Sequence, residues 1–319
     1  IVLGEVLGVF LSWHFMAEKF KTLTDNYKSI TVPDFLHSHF NSKTNTIRII
    51  AATALSAFVV IYVSAQIDIT GKAFESFLGY NYYFGILIGF GIVVAYIFSG
   101  GFLAVAWSDL FQGSIMFLAL LVLPITAYLQ LPNKMTFLQG LKDIDPALVN
   151  IWGDGGFTFM NFLSVIGLLS IGIGFLGSPQ VYVRFIAIKN TQEIKKGKIV
   201  AVIYTLVSSS CAVMIGMIGR FMFTTNSQNP ETVLGPAGEN VLYLLLIEIM
   251  PTIVVGIYIA ALLSAVMSTV DSLLVVASSA VTRDFYQKIV NPLIDQKTLI
   301  KLSKKITLGL ALFALFVAI

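Results

Sequence analysis

Residues 261–274 read ALLSAVMSTVDSLL, inside one of the most apolar stretches of the chain. Ser264, Ser268, Thr269, Asp271 and Ser272 crowd into this short run. A water-exposed helix carries such groups at little cost, whereas a helix in lipid has no solvent to satisfy them. The surroundings of this stretch therefore decide both fold and function.

Those surroundings are lipid-like. The chain has 319 residues, 57% of them hydrophobic and 12% charged, with a mean hydropathy of +0.87. Soluble globular chains are about 45–50% apolar and about 25% charged. Too few charges remain to cover a water-facing surface, so an all-α integral membrane protein is expected. The net charge of +3 comes without a basic cluster interleaved with aromatics, which speaks against nucleic acid as a partner. Cys211 is the one cysteine, which excludes an internal disulfide and a cysteine-based metal site. The chain opens on Ile1 with no visible signal peptide. It begins and ends in apolar runs (IVLGEVLGVFLSW and ITLGLALFALFVAI), so residues 1–319 read as a single transmembrane domain truncated at both ends.

A spanning helix needs about 20 mostly apolar residues. Eight segments answer to this: about 1–16, 46–66, 82–100, 104–130, 157–178, 199–222, 252–281 and 304–319, the first and last cut short. The runs are continuous and do not alternate every second residue, so helices are expected and not barrel strands. If they alternate in direction, one face receives all of the 20 basic residues except Lys72, Lys134, Lys142 and Arg220. Such a bias marks the cytoplasmic face of a plasma-membrane protein, with the first span running inward. Between spans, SITVPDFLHSHF predicts a short interfacial helix opened by Pro33. The loop 131–156 is long enough to fold over the outer face. His14, His37 and His39 read as surface residues.

Ionisable residues at bilayer depth are expensive, at about 2.5–3.5 kcal/mol for an Asp near a helix centre. Asp109 is placed roughly 9 Å up the fourth span, and Asp271 about 15 Å above the inner end of the seventh. The spacing i, i+4, i+8 aligns Ser264, Ser268 and Ser272, with Asp271 and Thr269 alongside. Hydroxyls and a carboxylate in one stripe supply the hard oxygen donors that a dehydrated Na⁺ requires. Small polar residues also let helices pack closely, but packing gains nothing from an acid. Glu5 in the first span reads equally as an interfacial or a functional acid. Gly167, Gly172, Gly174 and Gly177 followed by Pro179 predict a fifth span that unwinds and exposes carbonyls, as substrate and ion sites of secondary transporters do. Tyr62, Ser64 and Gln66 add polar groups that can face the same cavity.

AVAWSDLFQGSIMF (104–117), GSPQVYVRFIA (177–187) and above all ALLSAVMSTVDSLLVVASSAVTRDFYQ (261–287) resemble the sodium/solute symporter family, its proline-carrier branch most closely. ITVPDFL (30–36) and SGGFLAVAW (99–107) agree. The resemblance implies an inverted-repeat core of the leucine-transporter type, with the eight spans as core helices two to nine. It implies a sodium site at Ala265, Ser268 and Thr269, and a second site, for sodium or a proton, at Asp109, Asp271 and Ser272. It places Ile171, Phe175 and Pro179 against the substrate, where the proline-carrier branch has Trp, Tyr and Pro. The implied activity is Na⁺-coupled symport of a small solute by alternating access, proline or another small amino acid first, a carboxylate or vitamin as the alternative.

A membrane-embedded aspartyl protease using Asp109 and Asp271 is the rival from another class, since paired carboxylates activate water. Such enzymes carry GxGD around one acid, whereas here Asp109 follows AVAWS and Asp271 follows MSTV. A channel would need a charged ring or filter loop, and neither is visible.

Overall fold

The computed structural model describes residues 1–319 except 96–102, 104, 133, 135 and 227. Among the described residues it is helical throughout, with no strand. The helices are α1 (Val2–Leu11), α2 (Ala17–Tyr27), α3 (Val32–His39), α4 (Thr46–Leu78), α5 (Tyr82–Gln130), α6 (Phe137–Ile144) and α7 (Phe159–Phe175). They continue with α8 (Pro179–Ala187), α9 (Thr191–Phe223), α10 (Glu231–Leu234), α11 (Val241–Ile249), α12 (Thr252–Ser279) and α13 (Gln296–Ala318). Wider π-helical turns join α1 to α2 at Ser12–Met16 and extend α12 through Ala280–Val290.

Among the described residues, four helices are long and apolar enough to cross a bilayer: α4, the Val105–Gln130 part of α5, α9, and α12 with its extension to Val290. The interrupted pair α7 and α8 raises this to five. The other three expected spans are helical but fall short of that length or composition. α1 has ten residues before its π turn, Tyr82–Ala95 is a shorter apolar helix, and α13 carries Lys297, Lys301, Lys304 and Lys305 in its first half. The expected turn at 101–103 falls, apart from Leu103, outside the described residues.

The chain forms two compact units. The first comprises Ile1–Ser12, Ile115–Gly177 and Lys198–Ala261. Here α1 lies on α7 at backbone-contact range. A Cβ on Gly8 would collide with the Gly172 backbone, one on Gly172 with Gly4, and one on Gly4 with Leu169. Small residues at helix interfaces permit this approach in lipid, where no hydrophobic force drives helices together. Phe117 stacks on Tyr204 at 5.1 Å, and Tyr258 Oη donates to the Ala119 carbonyl at 3.0 Å. In the loop after α5, the Asp145 side chain accepts from Ala147 N–H and starts a short 3₁₀ turn.

The second unit comprises Trp13–Ser114, Ser178–Gly197 and Leu262–Ile319. Its core is assembled from α4, α5, α12 and α13 around Val63, Ile86, Val270, Leu274 and Ala314. The α12 contribution is Val266, Val270, Leu273, Leu274 and Ala277, a helical repeat of three and four that fixes one flank against the core. α3 begins as its sequence predicts: Thr31 caps it by accepting from Asp34 N–H at 3.2 Å, with Pro33 in the first turn. The Thr31 hydroxyl donates to Asp284 at 2.8 Å, and Arg48 donates to Asp34 at 2.6 Å and to Asn45 at 2.9 Å. This buried network ties α3 and α4 to the extension of α12. α8 is seated by aromatic contacts, Phe20 with Tyr182 at 4.8 Å and Trp13 with Phe185 at 5.0 Å. Lys21 adds a hydrogen bond to the Ile186 carbonyl at 3.0 Å.

The glycines of α7 separate by role. Gly172 meets backbone, whereas a Cβ on Gly167 or Gly174 meets nothing within 4 Å. Gly8→Leu or Gly172→Leu should therefore destabilise the detergent-solubilised protein by about 1–3 kcal/mol or more through overpacking, while Gly167→Ala stays within about 0.5 kcal/mol. Thermal unfolding of the three variants checks this, and equal effects would show that α1 and α7 do not depend on the close contact.

Candidate functional site

The flank of α12 opposite its core face carries the oxygens. Ser268 Oγ and Thr269 Oγ1 each donate to the Ala265 carbonyl, both at 3.0 Å. All three residues are half-buried. Bonding back to the i−3 and i−4 carbonyl is how hydroxyls are satisfied in a membrane helix. It uses the hydroxyl hydrogens and leaves their lone pairs in place. Three hard oxygens thus stand within one turn, the donor chemistry a small alkali cation takes.

One turn further along α12, a second cluster forms. Arg184 Nη2 of α8 donates to Asp109 Oδ2 at 2.5 Å and to Ser272 Oγ at 2.9 Å. Ser272 Oγ in turn donates to Asp109 Oδ2 at 3.0 Å. The second carboxylate oxygen, Asp109 Oδ1, is buried without a hydrogen-bond partner among the described residues, and so is Gln180 Oε1. Both residues line one cavity of about 430 Å³, together with Arg184 and Ser272. Orphaned buried acceptors are rare and call for a donor or a cation. Asp109 Oδ1, Gln180 Oε1 and Ser272 Oγ are hard oxygens of the kind a small cation takes, and Arg184 is the positive group now opposite the carboxylate.

Asp271 is fully buried, beside Val270, Leu273 and Leu274 in the chain and about 100° around the helix from Ser272. It does not line the Asp109 cavity. Among the described residues, the hydrogen-bond partners of Asp109 are Arg184 and Ser272. Tyr62 and Gln66 share a face of α4, Tyr62 half-exposed and Gln66 partly buried. Ile171 is exposed and Phe175 partly buried near the end of α7. The helix stops there, with Leu176 N–H bonded to the Ile173 carbonyl and Gly177 N–H to Gly174. Pro179 occupies the first turn of α8, where its missing N–H costs nothing. Glu5 accepts from Ser209 Oγ at 2.6 Å within the first unit. Arg184 and Gln180 do not emerge from the sequence as site residues. Arg184 sits in a basic segment, and the one signal that singles it out is its place a turn beyond the Gly-Ser-Pro break.

The sodium:solute symporter family model matches residues 1–319. The chain belongs to the sodium:solute symporter family. Among curated symporter relatives, it is 33% identical over 322 residues to the high-affinity proline transporter PutP of Bacillus subtilis (strain 168), covering 100% of this chain and 65% of that protein. It is 31% identical over 326 residues to a sodium/proline symporter of Staphylococcus aureus, covering 100% of this chain and 61% of that one. The chain thus spans about three-fifths of the length of these curated relatives. A solved Na⁺-coupled sialic acid symporter, substrate-bound and outward-open, shares the fold with a TM-score of 0.80 at 20% identity, covering 99% of this chain and 66% of that one. The symporter fold is therefore of the leucine-transporter type, embedded in the membrane by several apolar helices.

The Asp109–Arg184 pair is testable by itself. Arg184→Gln and Asp109→Asn should each destabilise the solubilised protein, and the double variant should recover a coupling of roughly 1 kcal/mol, the modest value reflecting the half-exposed guanidinium. Thermal unfolding of the cycle measures it. Strict additivity would remove the pair from the site.

Proposed function

We propose that this chain forms the transport domain of a Na⁺-coupled symporter that imports a small organic solute by alternating access. Proline or another small amino acid is the solute class that the named relatives favour. The observation that carries the reading is the convergence of Ser268 Oγ and Thr269 Oγ1 on the Ala265 carbonyl at 3.0 Å. Such back-bonding satisfies any Ser or Thr in a lipid-buried helix; what supports the reading is that both bonds meet on one carbonyl, on the flank of α12 that faces away from the core.

Na⁺ enters as a co-transported ion. At the first site the Ala265 carbonyl and the two hydroxyls supply lone pairs, and further ligands come from elsewhere. At the second, Asp109, Ser272 and Gln180 supply oxygen, and Arg184 competes with the ion for the same carboxylate. Asp271, next to Ser272 in the chain but not lining that cavity, is proposed as a separate sodium or proton group. The face with most lysines and arginines lies in the cytoplasm, so an inward-negative potential adds about 2.3 kcal/mol per charge per 100 mV to sodium entry. Coupling then requires that sodium bind one conformation better than the other. Tyr62, Gln66, Ile171, Phe175 and Pro179 are the proposed solute contacts. Ile171 and Phe175 are both apolar, which suits a solute whose body is held by packing more than by hydrogen bonds.

Uptake of labelled L-proline into vesicles, with and without an inward Na⁺ gradient, tests the reading. Accumulation that ignores the gradient across a panel of small amino acids and carboxylates would refute it. Ser268→Ala combined with Thr269→Ala should raise the half-saturating Na⁺ concentration by about tenfold or more, the loss of two ligand oxygens at roughly 1 kcal/mol each. The midpoint of thermal unfolding should move little, because both hydroxyls bond only within their own helix. Unchanged sodium dependence would move the ion elsewhere.

A further inference from the structure

α8 and the lower part of α12 form a wall with a cavity on either side. Val183, Ala187, Val275 and Val276 line both the Asp109 cavity and a second one of about 360 Å³. The second cavity is walled by Pro33, Leu55, Val183 and Ile186, with Ser279 and Arg283 on its α12 side. Its size lies within the range of small-molecule sites, about 300–1,000 Å³, and its lining has their character, apolar walls with a few convergent polar groups.

Of its polar side chains, Thr31 spends its hydroxyl on Asp284 and Asp34 N–H, while Arg283 and Ser279 are donors without partners among the described residues. Arg48 in the same unit is held by Asp34 at 2.6 Å, and Arg184 by Asp109 at 2.5 Å. Arg283 has no hydrogen bond or ion pair among the described residues, nor has the hydroxyl of Ser279. They stand four residues apart, on one side of the helix. The neighbouring acid, Asp284, is engaged by Thr31 at 2.8 Å and lies 3.8 Å from Arg48. It does not line the cavity, and neither does any other acid. A fork of guanidinium donors beside a hydroxyl, with no acceptor to neutralise it, matches a carboxylate. The aliphatic walls match a compact apolar body.

We propose that this cavity binds a carboxylate-bearing small solute through Arg283 and Ser279, as a way-station next to the Asp109 cavity on the side of the membrane that carries most basic residues. The way-station role rests on the transport reading above; the carboxylate site does not.

The test places a reporter thiol at Ile186, which lines this cavity and not the Asp109 cavity, as Ile186→Cys in a Cys211→Ser background of the membrane-embedded protein. Alkylation by a permeant maleimide is timed in vesicles with L-proline, isobutyrate or the neutral isobutyramide. Both carboxylates should slow labelling at least about threefold near twice their dissociation constants, and isobutyramide should not. Arg283→Gln should abolish the protection and Arg283→Lys should keep part of it; Ser279→Ala should weaken it. Equal protection by the amide, no protection by either carboxylate, or a thiol that reagents never reach would each overturn the proposal. So would protection by added phosphatidylglycerol alone, which would assign the cavity to a lipid headgroup. Na⁺-driven L-proline uptake in the same vesicles decides the transport reading separately. Protection without such uptake would overturn the way-station role and leave the carboxylate site standing.

Discussion

The structure depends on one requirement: α12 must carry hydroxyls and a carboxylate through an apolar bundle without leaving their hydrogens unmet. It does so by dividing its circumference. Val266, Val270, Leu273, Leu274 and Ala277 face the core, and Ala265, Ser268, Thr269 and Ser272 fall on the other flank. There the hydroxyl hydrogens fold back onto the helix's own carbonyl or reach across to Asp109. A polar flank of this kind is stable in lipid because its hydroxyl donors are satisfied within the protein.

Opposing charge has to be delivered to that flank, and the delivery explains the break after α7. A continuous helix through 176–178 would fix the direction of Arg184 by the direction of α7. Ending α7 at Phe175 and restarting at Pro179 gives α8 its own seat. That seat is aromatic. Trp13, Phe20, Tyr182 and Phe185 pack edge to face, a geometry worth more than its buried area alone. The guanidinium therefore reaches Asp109 and Ser272 from a rigid element, not from a loop.

Much of this was legible in the residues. The two faces of α12 follow from its period, and the start of α3 from Thr31, Pro33 and Asp34, whose capping chemistry is local. The break at Gly177-Ser178-Pro179 follows from the backbone limits of its residues. Long-range pairing was not legible. Arg184 sits among lysines and reads as one more basic residue until α8 is placed. Gln180 matters through what its oxygen lacks, which no spacing encodes. Asp271 and Ser272 adjoin in sequence, yet a helix turns them about 100° apart, so only Ser272 lines the Asp109 cavity. Gly167 and Gly172 are alike as letters, and only the position of α1 separates the packed one from the open one.

The charges of the second unit also bear on how the proposed cycle would be driven. Asp109 faces a guanidinium that is tethered, whereas a co-transported ion is free. Two cations competing for one carboxylate exclude each other, so ion arrival at Asp109 would free Arg184, and ion departure would recapture it. A tethered competitor keeps the acid from standing uncompensated in a low-dielectric site, which is the costly state. It also makes ion affinity depend on where α8 lies, because the guanidinium can compete only from within hydrogen-bonding reach. Differential affinity between two positions of one element is the quantity that coupling requires. On this reading the helix break after α7 supplies the conformational freedom, and the Asp109–Arg184–Ser272 triangle converts it into a difference in sodium binding.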